Sequence, residues 1–120
     1  MSVRRVIAVT SDLFFVARID AVAKAAGAQL THVAAEQAAA AARSARADLV
    51  ILDLHGPGDP LAVARALKAD PETAGIAIVG FYSHVDQALR EAAIAAGVDR
   101  PMPRSAFTAK LAELLGASTG

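Results

Sequence analysis

The chain has 120 residues, of which 55% are apolar and only 4% aromatic, and its 12 acidic and 12 basic side chains leave no net charge. This length fits one domain with a single well-buried core. The balanced charge argues against nucleic-acid binding through clustered Lys and Arg, and the lack of cysteine excludes disulfides and thiolate metal sites. Since there is neither a signal-peptide pattern nor an apolar run of membrane-spanning length, we expect one cytoplasmic domain over residues 1–120 with no membrane association.

Strand-type and helix-type segments alternate five times along the chain. In chain order, the predicted elements are a strand at 3–9, a helix ending at Gly27, a strand at 29–33, a helix at 36–45, a strand at 48–53, a helix from Pro60 to about Ala69, a strand at 76–81, a helix at 85–96, a strand at 98–102 and a helix after Ser105 that stops at Gly116. The connections are only a few residues long, which predicts a parallel sheet with right-handed crossovers and helices on both faces.

Short polar residues mark the starts of the predicted helices. Ser11 or Asp12 can cap the first helix, Asp59 precedes a proline at the start of the third, and Ser105 is placed to cap the fifth. Residues 116–120 are expected to form a frayed tail. The first helix is predicted to bury the apolar residues that recur at helical spacing: Phe14, Phe15, Ile19, Val22 and Ala26.

The strand at 48–53 organises the rest of the chain. Four apolar residues lie between Asp48 and Asp53, and a Gly/Pro-rich segment follows. Such a strand is buried on both faces and belongs in the middle of a parallel sheet. Asp53 then lies at the carboxyl edge of the sheet, where open α/β folds build their sites. An ionised carboxylate at that edge is either a simple loop cap or a functional group.

Three stretches resemble the receiver domains of two-component response regulators. Residues 48–59 (DLVILDLHGPGD) resemble the phosphoacceptor strand and its following loop, residues 65–79 (RALKADPETAGIAIV) the third helix and the approach to the fourth strand, and residues 95–99 (AAGVD) the turn before the fifth strand. The resemblance spans essentially the whole chain. It implies a flavodoxin-like, CheY-like α/β fold with a five-stranded parallel sheet in the order 2-1-3-4-5 and helices on both faces.

The resemblance assigns Asp53 to the aspartate that receives a phosphoryl group in receivers. Where the family holds a divalent cation with two acidic residues at the end of strand one, this chain has Thr10 and Ser11, and Asp12 follows. Asp53 alone, or with Asp12, offers at most two carboxylates, so we expect no cofactor or weak Mg²⁺ binding. For Asp12, we expect a helix cap rather than a metal ligand.

The other positions that the resemblance identifies are also changed. Tyr82, followed by Ser83, occupies the place of the family's Ser or Thr after strand four, and Arg104 occupies the place of its lysine. Arg104 is able to pair directly with Asp53 as a cation, and Tyr82 is expected to be half-buried with a wet hydroxyl. Pro101 stands where the family has an aromatic switch residue. The histidines are expected to be single surface residues: His32, His55 and His84.

Three functions stay open. The first is a stand-alone receiver-like signalling protein, a pseudo-receiver that acts by protein–protein contact in a two-component or phosphorelay context, with weak or absent phosphorylation at Asp53. The second is a working phosphoacceptor that uses Asp53 with Asp12. The third is a small-molecule sensor that binds at the carboxyl edge with Arg104, Tyr82 and Ser83 as contacts. We find no nucleophile–base pair and no catalytic carboxylate dyad, so an enzyme is not expected.

The resemblance also implies a partner surface. In receivers, the fourth helix, fifth strand and fifth helix contact signalling proteins such as a histidine kinase or a downstream effector. The chain is expected to be a monomer or a weak dimer. Its residues on this partner surface are Ala88, Arg90, Glu91, Arg100, Lys110 and Glu113.

Overall fold

A computed structural model describes residues 3–83 and 85–116 of the chain, so His84 and most of the expected frayed tail, residues 117–120, lie outside the described residues. Within them, no helix is both long and apolar enough to span a membrane. The elements are β1 (Arg5–Val9), α1 (Leu13–Ala26), β2 (Gln29–His32), α2 (Ala35–Ala45), β3 (Leu49–Asp53), α3 (Pro60–Ala69), β4 (Ala77–Tyr82), α4 (Gln87–Ala96), β5 (Arg100–Pro103) and α5 (Arg104–Leu114).

The five strands form one parallel sheet in the order β2-β1-β3-β4-β5. The predicted flavodoxin-like fold and strand order are therefore confirmed. β3 is the central strand, and all five of its residues are buried. The strand order reverses between β1 and β3, and this is the point at which open α/β sheets form crevices beyond the carboxyl ends of their strands.

Helices cover both faces of the sheet. One face packs under α1 and α5, where the Phe81 ring lies 4.5 Å from the Phe15 ring and 4.6 Å from the Phe107 ring, measured between centroids. The other face packs under α2, α3 and α4, and α2 buries Ala38 and Ala42 completely. Because alanine has a single methyl group, these positions allow the helix to approach the sheet closely.

Aspartates begin three of the helices. Asp12 caps α1, Asp59 caps α3 and Asp86 caps α4, each accepting backbone N–H bonds with its carboxylate. The prediction that the fourth helix begins at residue 85 was therefore wrong by two residues, because Asp86 is the cap. The predicted Ser105 cap was also wrong, since α5 starts at Arg104, before that serine, and has no side-chain cap.

One residue of the predicted buried face of α1 is exposed. Phe15 and Ile19 are buried as expected, whereas Phe14 is 64% exposed and its neighbour Leu13 is 81% exposed. A helix buries only one stripe, and two consecutive residues point about 100° apart, so Phe14 and Phe15 cannot both face the sheet.

The edge of the sheet opposite Asp53 is tied together by ion pairs. Arg43 at the end of α2 bonds to Asp70 after α3. The backbone N–H of Glu72 and the Arg43 guanidinium together hold the pKa of the Asp70 carboxyl below its ordinary value. On the same edge, the ammonium of Lys68 lies 3.1 Å from the Asp99 carboxylate.

Candidate functional site

Asp53 lies at the carboxyl end of β3 and is only 5% exposed. Its Oδ2 accepts a hydrogen bond of 2.9 Å from the Thr10 hydroxyl, and its Oδ1 accepts one of 3.0 Å from the backbone N–H of His55. Both donors are neutral groups. Among the described residues, no Lys, Arg or His forms an ion pair with Asp53. The site therefore holds a buried carboxylate with no built-in counter-cation.

The end of β1 supplies hydroxyl groups where a receiver would supply acids. The register places Val9 beside Leu52, so Thr10 follows directly beside Asp53. The Thr10 hydroxyl both donates to Asp53 and accepts a 3.1 Å bond from the backbone N–H of Asp12. Ser11 is exposed. The β1 end thus satisfies Asp53 by hydrogen bonding alone.

Asp12 is used as a helix cap. Its Oδ1 accepts bonds of 2.9 Å from the Phe14 N–H and 3.4 Å from the Phe15 N–H. These are the orphan donors of the first turn of α1, and capping them is worth about 0.5–2 kcal/mol. The capping role expected for Asp12 is confirmed, and the cap occupies one of its two carboxylate oxygens.

Tyr82 is more deeply buried than the sequence indicates. The prediction of a half-buried ring was wrong, because Tyr82 is only 2% exposed and belongs to the core under α2, α3 and α4. Tyr82 pairs in register with Pro103, so both lie on the same face of the sheet. The bulky ring replaces a small hydroxyl residue of receivers with core packing.

His55 connects two loops at the carboxyl edge. Its Nε2 accepts a 2.9 Å hydrogen bond from the backbone N–H of Ser83. Its own backbone N–H bonds to Asp53. The sequence predicts only a surface histidine here. The ring is indeed exposed, but it fastens the segment after β4 to the segment after β3.

Arg104 does not reach Asp53 as a counter-cation. It is the first residue of α5, it is exposed, and it forms no ion pair with Asp53. The direct salt bridge considered from the sequence is therefore absent from this structure. The structure brings together Asp53, Thr10 and the His55 backbone, while Arg104 forms no ion pair with Asp53 and the Tyr82 ring is packed in the core.

Comparison with known proteins identifies the fold. No protein-family model matches the chain, and no curated protein matches it. The receiver domain of a sensor histidine kinase from Pseudomonas aeruginosa, solved with a magnesium ion in its active-site cleft, matches with a TM-score of 0.82 and 22% identity over 95% of each chain.

Two further solved structures agree. A putative response regulator from Chloroflexus aurantiacus matches with a TM-score of 0.84 and 19% identity over 95% of each chain. The chemotaxis response regulator CheY4 of Vibrio cholerae matches with a TM-score of 0.82 and 18% identity over 95% of this chain and 97% of its own. The chain therefore has the CheY-like receiver fold, as the sequence resemblance implies.

The divalent cation that this fold implies does not fit the residues present. Mg²⁺ prefers several anionic oxygen ligands, and Asp53 is the single carboxylate at the centre of the cluster. Asp12 is engaged with the start of α1, and Thr10 and Ser11 offer only neutral hydroxyls. Across residues 3–83 and 85–116, no group of three or more His, Asp or Glu side chains could hold a metal ion.

Proposed function

We propose that this chain is a receiver-like signalling protein that acts in the cytoplasm by protein–protein contact in a two-component or phosphorelay context, with weak or absent phosphorylation at Asp53. The receiver fold and the position of Asp53 support the signalling context. The proposal includes a non-enzymatic role and Mg²⁺ binding that is weak if it occurs.

The observation that carries the proposal is the environment of Asp53. A phosphoryl donor is anionic, so its approach to a carboxylate requires positive charge at the reacting atoms. The groups that bond to the Asp53 carboxylate are the Thr10 hydroxyl and the backbone N–H of His55, both neutral, and Arg104 forms no ion pair with it. Compared with the receivers it resembles, this chain has different residues at the acid pair, at the Ser or Thr after strand four and at the lysine, while the fold is the same.

The surface formed by α4, β5 and α5 is suited to side-chain contacts. The residues that the sequence assigns to the partner surface are exposed. Ile94 on α4 lies near them in the chain and is 48% exposed. Pro101 and Pro103 on the edge strand β5 carry no N–H, so this edge is poorly suited to adding a strand from a partner. A partner would therefore contact mixed charges and a small apolar area on the helices.

The proposal is tested by measuring partner binding with and without the phosphoacceptor. The chain is immobilised as wild type, as Asp53→Asn and as the charge reversal Arg90→Glu/Lys110→Glu, with Lys24→Glu on α1 as the matched control. We expect a signalling partner to bind the wild type, Asp53→Asn and Lys24→Glu equally. We expect it to bind Arg90→Glu/Lys110→Glu at least about tenfold more weakly.

Binding that requires Asp53 and a phosphoryl donor would contradict this proposal. It would instead support the alternative in which Asp53 works as a phosphoacceptor together with Asp12. In that alternative only Oδ2 of Asp12 would face a metal ion while the cap is kept, because its Oδ1 is engaged by the N–H groups of Phe14 and Phe15. Binding that ignores the charge reversal would place the partner on another surface.

A further inference from the structure

A cavity of about 500 Å³ opens beside Asp53 at the carboxyl edge of the sheet. It lies between the ends of β1 and β3 and the start of α2, on the β2 side of the strand-order reversal. Its volume is within the range of small-molecule sites. Tyr82, Ser83 and Arg104 do not line it, so it differs from the sensor site expected from the sequence. Its polar lining residues include Thr10, Ser11, Glu36, Gln37 and Asp53.

The charged groups of the cavity are acidic. Asp53 and Glu36 are carboxylates, and no Lys or Arg is among the lining residues. His32 also lines the cavity, but its Nε2 lies 2.8 Å from Oδ1 of Asp20 and is already engaged there. Buried charges in proteins are ordinarily paired or coordinate a metal. Asp53 has only neutral hydrogen-bond partners, so no positive group among the lining residues pairs with it.

An organic ammonium group is a better cation for the unpaired Asp53 carboxylate than a metal ion, and a phosphate would be repelled by it. Mg²⁺ would find one central carboxylate and two hydroxyls, which is a poor ligand set. A phosphate would bring negative charge to Asp53 and Glu36. An ammonium carries one positive charge and three N–H donors, and each carboxylate oxygen of Asp53 still has acceptor capacity beyond its one bond.

The far side of the cavity supplies donors instead. It is lined by the first residues of α2, whose cap position, Ala34, makes no side-chain hydrogen bond. Within the described chain, the backbone N–H groups of Ala35 and Glu36 have no acceptor. A hydroxyl or carboxylate oxygen of a ligand would satisfy them. The apolar side chains of Val9 and Val33 lie along the same cavity.

We propose that this cavity binds a small organic amine that also carries hydroxyl or carboxylate groups, with its ammonium against Asp53 and its oxygens at the start of α2. The proposal goes beyond the partner-binding role and does not depend on it. It assigns to Asp53 the function of a charge-recognition group in place of a phosphoacceptor.

The test is an NMR titration of the ¹⁵N-labelled chain with amines and their uncharged counterparts. The probes are glucosamine with glucose, ethanolamine with ethylene glycol, and glycine with glycolate. We expect at least one amine to shift the amide signals of the lining residues saturably at millimolar concentration, and its counterpart to bind about tenfold more weakly or not at all.

Variants distinguish amine binding in the cavity from a general effect of the protein's charge. Asp53→Asn is expected to weaken the amine about tenfold, and Glu36→Gln, at an exposed position, about threefold. Glu72→Gln removes an exposed carboxylate from the opposite edge of the sheet and serves as the control. A cooperative thermal transition of each variant verifies that it is folded.

Three results would overturn the proposal. The first is that no amine shifts the lining amides at about 10 mM. The second is that Asp53→Asn and Glu36→Gln bind the amine as tightly as the wild type. The third is that MgCl₂ or inorganic phosphate alone occupies the cavity more tightly than every amine.

Discussion

Replacing Asp53 by asparagine is expected to stabilise the protein. The side chain is 5% exposed and has no cation, so the folded state bears the cost of burying its charge. Asparagine has the same shape and keeps both hydrogen bonds. Its carbonyl oxygen can accept from the His55 N–H, and its NH₂ can donate to the Thr10 hydroxyl oxygen in the place where Asp53 now accepts.

The magnitude follows from two opposing contributions. An unpaired buried carboxylate costs several kcal/mol after relaxation. Hydrogen bonds to a charged acceptor contribute about 1 kcal/mol more than neutral ones, so the exchange loses about 2 kcal/mol over the two bonds. The remainder favours asparagine by about 1–2 kcal/mol. For a chain of 120 residues, 1 kcal/mol corresponds to about 4 °C, so Tm is expected to rise by about 4–8 °C.

The assay is thermal unfolding by circular dichroism at neutral pH, supported by urea titration. Asp48→Asn is the matched control, because Asp48 is exposed and also accepts a backbone N–H, from Arg5. The control is expected to change Tm by less than about 2 °C. A fall in Tm of more than about 4 °C for Asp53→Asn would refute the reasoning, since it would mean that the charge of Asp53 is compensated in the folded state.

Three further predictions concern other parts of the structure. Asp12→Ala is expected to lower the free energy of unfolding by about 0.5–2 kcal/mol and Asp12→Asn by much less, because asparagine also caps; an equal loss in both, measured by urea titration, would argue against capping. His55→Ala is expected to speed hydrogen exchange at the Ser83 amide, which loses its acceptor, and unchanged protection of that amide would show that the loop is held otherwise. Asp70→Asn is expected to destabilise at neutral pH, because the folded-state pKa of Asp70 is lowered and its contribution to stability is complete above the unfolded value. That contribution is lost as the pH falls through the folded value, so the Tm difference from the wild type should vanish in acid, and a pH-independent difference would contradict this assignment.

The sequence predicts the fold well because its signals are local and consistent. Each element is specified by residues within or next to it. Examples are the buried strand run at 48–53, the aspartate caps and the helix stop at Gly27. The boundary errors have separate causes: α4 begins after the Asp86 cap, and α5 begins at Arg104 after Pro103, with no side-chain cap to mark its start. The resemblance to receivers then supplies the strand order, which the structure bears out.

The candidate site is predicted only in part, because its features depend on contacts between distant segments. The position of Asp53 follows from strand periodicity. The bond between His55 and the Ser83 N–H joins residues 28 apart in the chain, and no sequence pattern specifies it. The same holds for the complete burial of Tyr82, which depends on how closely α3 and α4 pack on the sheet. The cavity beside α2 likewise forms only when three loops meet.

The most direct test of the proposed function is intact-mass spectrometry after incubation with acetyl phosphate and Mg²⁺. Wild type and Asp53→Asn are compared with a rebuilt variant, Thr10→Asp/Ser11→Asp/Arg104→Lys, that restores the acid pair and lysine of receivers and keeps the buried Tyr82. We predict little or no phosphoryl adduct on the wild type under conditions in which the rebuilt variant gains one. An adduct on the wild type that is as abundant as on the rebuilt variant and disappears in Asp53→Asn would contradict the account and make Asp53 a working phosphoacceptor.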